Sequence, residues 1–201
     1  MFVSLIGATP AAADSNEATK VGAIIARSKL TQATYAIYFW NRIERPGQQP
    51  VEEWSAEFNS GNLHRVETPR DRIIADCKAP AGTYLSLSNG KIITGSQVAG
   101  VACGINTNLR FLKIESLGRV TSRFGGADRV RLTDTDNIRT YDISDDGIIL
   151  RTIFQTNDAR HLTVLDVETV AVFNRLPTNS MFDEPSLKDS FVPDRFREAP
   201  K

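Results

Sequence analysis

Between residues 34 and 94 the chain contains several strand-like segments in direct succession, joined by connections too short to hold a crossover helix. Parallel neighbours need connections of about a dozen residues or more, whereas antiparallel strands can be joined by about two. The connections are rich in Pro, Gly, Asn and Asp, which favour turns. They lie at residues 46–50, 60–62, 69–71, 80–82 and 88–90. This succession predicts an antiparallel sheet in which sequence neighbours pair with each other.

A second run of strand-like segments extends from residue 129 to residue 172. Aromatic and β-branched residues are frequent in both runs, as is typical of strands. We therefore predict an α+β fold with one large, curved antiparallel β-sheet. The predicted domain extends over residues 14–185, between a terminus at 1–13 and a Pro-rich charged tail at 186–201. We expect the chain after Leu176 to be extended and partly packed on the body, or disordered.

One helix is predicted near the N-terminus, and the existence of a second helix stays open. Residues 14–16 can cap a helix that begins at Glu17 and ends near Leu30. The segment 108–122 fits either a second helix over the concave face or a strand, and residues 95–104 are interpreted as a loop. The predicted buried face of the first helix comprises Val21, Ile24, Ile25 and Ser28.

Composition argues against several classes of partner. The 24 basic and 24 acidic residues cancel, so no net field attracts nucleic acid or an anionic membrane. No basic block is interleaved with aromatic residues, as it would be in many nucleic-acid binders. Every apolar run is shorter than the ~20 residues that a membrane-spanning helix needs. We therefore expect a monomer with no nucleic-acid partner and no transmembrane segment.

The N-terminus and the cysteines favour export. Residues 2–8 are apolar, and the alanines at 11–13 fit the small-residue pattern before a cleavage site. We expect residues 1–13 to be the remnant of an export signal and the protein to be periplasmic, with a disordered terminus as the alternative. In an exported chain, the even cysteine count favours a structural disulfide between Cys77 and Cys103, whereas buried thiols would be expected in the cytosol.

Catalytic and metal-binding motifs are weak. The histidines are His64, in a strand, and His161, after a turn, and we interpret both as solvated side chains. The chain contains no nucleophile elbow, no zinc-protease motif and no phosphate-binding loop. The acidic run at 134–137 lacks the glycine and the distal glutamate of a calcium loop, so turns explain it better. We predict no metal and no cofactor.

Charged residues of both signs alternate around a corner near residue 70. Arg65, Arg70 and Arg72 alternate there with Glu67 and Asp71. We interpret them as a solvated ladder of opposite charges, in which each pair contributes little stability. The functional alternative is a patch that recognises anions.

The layout of the chain resembles the periplasmic lipoprotein-carrier superfamily, the LolA-like proteins. The N-terminal helix, the long uninterrupted sheet, the late Val-rich strand and the hairpin at 141–150 are similar to that group, and the resemblance covers most of residues 17–185. It implies a half-barrel whose apolar concave face is covered by helices, with acyl chains bound between. A Leu-Pro-x-x-x-x-Phe-x-x-Pro element completes the resemblance, here formed by Leu176, Pro177, Phe182 and Pro185.

A curved sheet with one apolar face has to cover that face, and the cover can be tight or loose. A tight cover makes the face a closed core, in which large aromatic residues are the usual content. A loose cover makes it a ligand pocket. The large residues that could line such a hydrophobic pocket are Tyr35, Phe39, Trp54, Phe58, Tyr84, Phe111 and Phe154.

Three functional hypotheses follow from the sequence. The leading one is a non-catalytic periplasmic carrier or chaperone that binds acyl chains of a lipid or lipoprotein on its apolar concave face. The second is an envelope interaction protein, whose sheet edge or Pro-rich tail engages a protein partner. The third is a hydrolase that uses His64 or His161. The sequence does not specify the ligand, so these hypotheses differ in class rather than in detail.

Overall fold

The computed structural model describes residues 15–29, 33–105, 110–156 and 163–200. Within them lie helices α1 (Ser15–Lys29) and α2 (Ser96–Ala102) and three short 3₁₀ helices at Asn179–Phe182, Glu184–Lys188 and Asp194–Phe196. The strands are β1 (Tyr35–Glu44), β2 (Val51–Ser60), β3 (Leu63–Glu67), β4 (Asp71–Asp76), β5 (Ala81–Ser86), β6 (Ile92–Thr94), β7 (Lys113–Ser122), β8 (Gly125–Thr133), β9 (Asn137–Ser144), β10 (Ile149–Thr156) and β11 (Val164–Phe173). The predicted export remnant at 1–13 lies outside the described residues.

All of these strands belong to one antiparallel sheet with the order β6-β5-β4-β3-β2-β1-β11-β10-β9-β8-β7. The first six strands form one meander and the last five form another, as the short connections predict. The two meanders meet where β1 pairs with β11, with Tyr38 opposite Ala171. The predicted α+β fold, a single large curved sheet with helices on one face, is therefore confirmed.

Two local predictions between β6 and β8 are corrected. Residues 113–122 form an edge strand that pairs with β8, so the helical alternative for 108–122 is wrong in its described part. The second helix lies instead at Ser96–Ala102, where we expected a loop. Its small residues, which suggested a loop, let it lie directly on the sheet. Gly82 makes that approach possible, because a Cβ there would come within 3.0 Å of Ala99 N.

Strand β1 is buried on both of its faces, so both faces of the sheet are covered at its centre. Tyr35, Ile37 and Phe39 point to the face on which α1 and α2 lie, called here the helical face. Ala36 and Tyr38 point to the opposite face, which the C-terminal segment covers and which is called here the tail face. The sequence pattern predicted a sheet with only one apolar face, whereas both faces are buried at β1.

On the helical face, α1 packs through the side chains predicted for it. Val21, Ile24, Ile25 and Ser28 are all buried, and the three apolar ones contact a cluster on β8 and β9. Arg27 fixes the helix further, because it donates to Asp128 on β8 at 2.8 Å. The predicted buried face of the first helix is therefore confirmed.

On the tail face, the chain after Leu176 forms a continuous cover. The 3₁₀ helices and the residues around them place Met181, Phe182, Leu187 and Val192 in the same buried cluster as side chains of β1, β2, β4 and β5. The segment beyond residue 185 packs on the body, with Leu187 and Val192 buried in this cluster. The sheet side chains under this cover are Ala36, Tyr38, Trp54, Ala56, Phe58, Ile74 and Leu85.

Arg65 is fully buried beneath this C-terminal segment, and all five of its N–H donors are used. Its Nε donates to Glu67 Oε1 at 2.8 Å. One terminal nitrogen donates to the Met181 carbonyl and the Ser186 hydroxyl, at 2.7 and 2.9 Å. The other donates to the carbonyls of Ser186 and Asp189, at 3.2 and 2.7 Å. Arg65 therefore joins β3 to three points of the C-terminal segment.

Glu67 is equally buried and binds the same segment from the next position on that face. The Ser190 hydroxyl donates to Glu67 Oε2 at 2.7 Å, and the Phe191 backbone N–H donates to Oε1 at 3.1 Å. Arg72 Nε lies 3.3 Å from Oε2. The carboxylate thus has partners on both oxygens, as a buried charge requires.

The predicted solvated ladder of charges is wrong for Arg65, Glu67 and Arg72. The strand register places them on the tail face, where Arg65 lies opposite Phe58 and Ile74. The C-terminal segment then excludes water from them. Arg70 alone fits the prediction among the three arginines, since it is exposed and forms an ion pair with Glu53 at 2.6 Å. Asp71 accepts a hydrogen bond from the Tyr84 hydroxyl.

The environments of Arg65 and Arg70 predict different losses of stability when either side chain is removed. We expect Arg65→Ala to lower the free energy of unfolding by ~3–5 kcal/mol, because Glu67 and several carbonyls would keep their burial and lose their partner. The matched control is Arg70→Ala, which removes an arginine whose side chain is 60% exposed and is expected to cost about 1 kcal/mol. Urea unfolding of both variants measures this. Small and equal losses would contradict the buried network.

Candidate functional site

A cavity of about 630 Å³ lies on the helical face, between the sheet and the helices. Its size falls in the ~300–1,000 Å³ range of small-molecule sites. Strands β1 to β4, β9 and β10 form its floor, and the end of α1, α2 and the residues after α2 border it. The lining residues include Ser28, Tyr35, Glu57, Asn59, His64, Val66, Ile73, Cys77, Lys78, Gly100, Val101, Ala102, Cys103, Ile105, Arg139, Tyr141, Gly147, Ile149 and Thr152.

A disulfide borders the cavity. Cys77, at the end of β4, is bonded to Cys103, directly after α2, with 5.5 Å between their Cα atoms. The pairing predicted from the cysteine count is therefore present. It closes a loop with a sequence separation of 26 residues, and the chain-entropy model gives such a loop ~3–4 kcal/mol of stabilisation. The bond holds the C-terminal end of α2 against the sheet.

His64 is buried in the cavity lining, so its prediction as a solvated strand residue is wrong. Only 6% of the residue is exposed. Its Nδ1 contacts the carbonyl oxygen of Ala102, the last residue of α2. Because a carbonyl can only accept, Nδ1 carries the proton in this contact. His161, the other histidine, lies outside the described residues.

The second ring nitrogen of His64 faces a carboxylate. His64 Nε2 lies 3.4 Å from Glu57 Oε2, but the two groups do not meet in hydrogen-bond geometry. Burial alone would lower the pKa of His64, whereas the Glu57 carboxylate and the Ala102 carbonyl raise it, and the pKa lies above its ordinary value. Burial, together with the charge of Glu57, also raises the pKa of Tyr35 well above its usual range.

The structure separates the aromatic residues that were considered as pocket-lining. Tyr35 lines the cavity. Phe39 does not line it, but is buried on the same face in the cluster that contains Tyr35. Trp54 and Phe58 lie on the tail face, in closed core beneath the C-terminal segment. Tyr84 lines a separate groove of about 460 Å³ beside α2.

The last two predicted residues are partly buried elsewhere on the helical face. Phe111 packs against the cluster under α1. Phe154 lies beneath the guanidinium of Arg139, whose carbon is 5.4 Å from the ring centre. The seven candidates thus do not converge on one pocket.

Sequence patterns did not identify most of the residues that line the cavity. Glu57 and His64 come together only because β2 pairs with β3 in one register, with Asn59 opposite His64. Tyr141 and Thr152 join them from the other meander. Strand alternation places each residue on a face, but it does not give the order of strands around the cavity.

The acidic run at 134–137 forms the turn between β8 and β9. Asp134 Oδ1 accepts from the backbone N–H groups of Asp136 and Asn137, at 2.9 and 2.7 Å. Its other oxygen is ion-paired with Arg139. Across residues 15–29, 33–105, 110–156 and 163–200, no group of three or more metal-ligating side chains converges. The same residues contain no helix with the length and apolar character needed to cross a membrane.

Comparison with known proteins reveals similarity at the level of structure. No protein-family model matches the chain, and no curated protein sequence does either. A conserved protein from Thermus thermophilus is 11% identical, with a TM-score of 0.52, over 90% of this chain and 96% of that chain. A LolA superfamily protein from Nitrosomonas europaea is 14% identical, with a TM-score of 0.43, over 83% and 99%.

A third solved structure is a putative outer membrane lipoprotein-sorting protein domain from Vibrio parahaemolyticus. It is 9% identical, with a TM-score of 0.42, over 84% of this chain and 97% of that chain. Two of these three solved structures are named as a LolA superfamily protein and a lipoprotein-sorting domain. At these identities the similarity concerns the fold.

The raised pKa of His64 predicts how the stability of the fold changes with pH. A group whose pKa is raised on folding stabilises the fold most at pH values below its unfolded-state pKa. We expect this contribution to be complete below about pH 6.5 and to be lost as the pH rises through the folded-state pKa. The difference in unfolding free energy between the wild type and His64→Gln should therefore shrink as the pH rises above about 6.5.

Urea unfolding at several pH values measures this difference. The side-chain amide that His64→Gln introduces can still donate an N–H to the Ala102 carbonyl, so the comparison isolates the titrating group. A difference that stays constant or grows over the same pH range would contradict the prediction.

Proposed function

We propose that the protein is an exported, periplasmic carrier that binds acyl chains of a lipid or lipoprotein in the cavity on the helical face. This proposal rests on one observation, which is that α1 and α2 do not fill the space above the helical face. On the tail face most side chains close into a core, and the groove that remains beside Tyr38 and Phe196 measures about 360 Å³. On the helical face about 630 Å³ stays open between the sheet, α1 and α2.

The chemistry of the lining supports an acyl ligand. Val66, Ile73, Ile105 and Ile149 supply apolar surface, and the ring of Tyr35 adds to it. Burial of acyl methylenes contributes ~0.8 kcal/mol each, so a chain that enters for a few carbons gains useful affinity. Release requires the cover to move, as lids do over other buried sites.

The disulfide supports an exported location. Structural disulfides persist in oxidising compartments such as the periplasm and are rare in the cytosol. Protein recovered from the periplasm without reductant should have a mass two hydrogens below that of the reduced chain. Free thiols in that preparation would count against export.

We propose that binding is non-covalent and involves no catalysis. Among the described residues, the ring nitrogens of His64 contact the Ala102 carbonyl and lie beside the Glu57 carboxylate. Neither is the hydroxyl or thiol nucleophile that a histidine base activates in hydrolases. An envelope protein that delivers or receives the ligand is the expected protein partner.

Filling the cavity tests the proposal. Gly100 lines the cavity, and no atom lies within 4 Å of a Cβ built there, so the fold accepts a side chain at this position. We expect Gly100→Trp to weaken binding of a pyrene-labelled monoacylglycerol at least ~10-fold, the equivalent of about two excluded methylenes. Fluorescence titration measures the dissociation constant.

The matched control is Gly22→Trp. Gly22 lies on the exposed side of α1, and a Cβ there also meets no atom within 4 Å. This variant adds the same side chain to a helical glycine outside the cavity, so its affinity should equal that of the wild type. Equal weakening by both variants, or no binding by the wild type, would refute the cavity as the acyl site.

A further inference from the structure

The cavity contains a buried ring nitrogen, His64 Nε2, that meets none of the described protein groups in hydrogen-bond geometry, although Glu57 Oε2 lies 3.4 Å away. With Nδ1–H of His64 committed to the Ala102 carbonyl, the ring can face the cavity only through Nε2. That atom has no hydrogen-bond partner among the described residues, although the side chain is only 7% exposed. Buried polar atoms of this kind are rare in folded proteins and usually find a partner in a ligand or water.

Glu57 determines what Nε2 can offer to a ligand. A neutral imidazole would direct its Nε2 lone pair at the carboxylate oxygen 3.4 Å away, which is repulsive. The protonated ring places an N–H there instead, which is attracted to the carboxylate charge but is not aligned with its oxygen and so remains able to donate to a ligand. This charge pairing is consistent with the raised pKa of His64. The carboxylate side chain is 33% exposed, so its oxygens can also accept from a bound group. The pair therefore presents one donor and one acceptor, side by side.

Charge balance in the lining disfavours an anionic head group. The other cations of the lining are Arg139, which is ion-paired with Asp134, and Lys78, which is exposed to solvent. An anion beside Glu57 would thus be desolvated next to a like charge, with each buried cation already neutralised. A neutral head group avoids this cost.

We propose that His64 and Glu57 form a polar subsite for the neutral head group of an acyl ester or acyl amide. The carbonyl oxygen of the ligand accepts from His64 Nε2–H, and a hydroxyl or amide N–H of the same head group donates to Glu57. The acyl chain then lies along the apolar lining near Tyr35 and Ile149. This inference rests on the proposed function and adds the class of ligand.

The test compares two ligands that share one acyl chain. We expect the wild type at pH 7.5 to bind 1-monomyristoylglycerol at least about tenfold more tightly than myristate, because only the carboxylate is repelled by Glu57. In Glu57→Gln the repulsion and the imidazolium are both lost, so the preference should fall below about threefold. Isothermal titration calorimetry below the micelle concentration of each ligand measures both constants.

The control is Glu52→Gln, which removes the same charge from the same strand outside the cavity. Glu52 is exposed and paired with Arg42, so this variant should keep the wild-type preference. Equal wild-type affinity for the two ligands, or an unchanged preference in Glu57→Gln, would overturn the subsite while leaving an acyl carrier in place. Failure of the wild type to bind either ligand would overturn the carrier proposal itself.

Discussion

The buried pair of Arg65 and Glu67 is the interaction on which the rest of the structure depends. A charge away from water is tolerated only when nearly every donor and acceptor around it is satisfied. Here the partners come from β3, β4 and the segment from Met181 to Phe191, more than a hundred residues further along the chain. The charges are therefore satisfied only when the C-terminal segment is in place, and its apolar side chains then close the tail face.

Neighbouring positions on β3 face two contrasting environments. Arg65 points to the tail face, where all five of its donors are used, and His64 points to the helical face, where one ring nitrogen lacks a hydrogen-bond partner among the described residues. A hydrogen-bond network in which every donor and acceptor is used stabilises a single arrangement. A network with an unused donor can bind a ligand. The tail face, which is largely closed, and the helical face, which has the larger cavity, thus divide the sheet into a structural side and a candidate binding side.

Local patterns predicted much of the fold. Short turns between β-rich segments implied antiparallel pairing, and the apolar positions Val21, Ile24 and Ile25 identified the face of α1. Patterns failed where the local signal was weak. The small residues of Ser96–Ala102 suggested a loop, because their helix depends on contact with the sheet beneath it. Residues 113–122 fitted two structures, and pairing with β8 decided between them.

The sequence by itself determined the antiparallel sheet, the first helix and the cysteine pair, because these follow from turn chemistry, residue spacing and an even cysteine count. Tertiary structure decided which alternating residues would be buried. Trp54 and Phe58 lie in closed core, and Arg65 is buried beneath the C-terminal segment. His64 lines a cavity together with Glu57. Alternation assigns a side chain to a face of a strand, but burial depends on what covers that face. Here the covers are α2 and the C-terminal segment, whose positions depend on contacts between residues far apart in the chain.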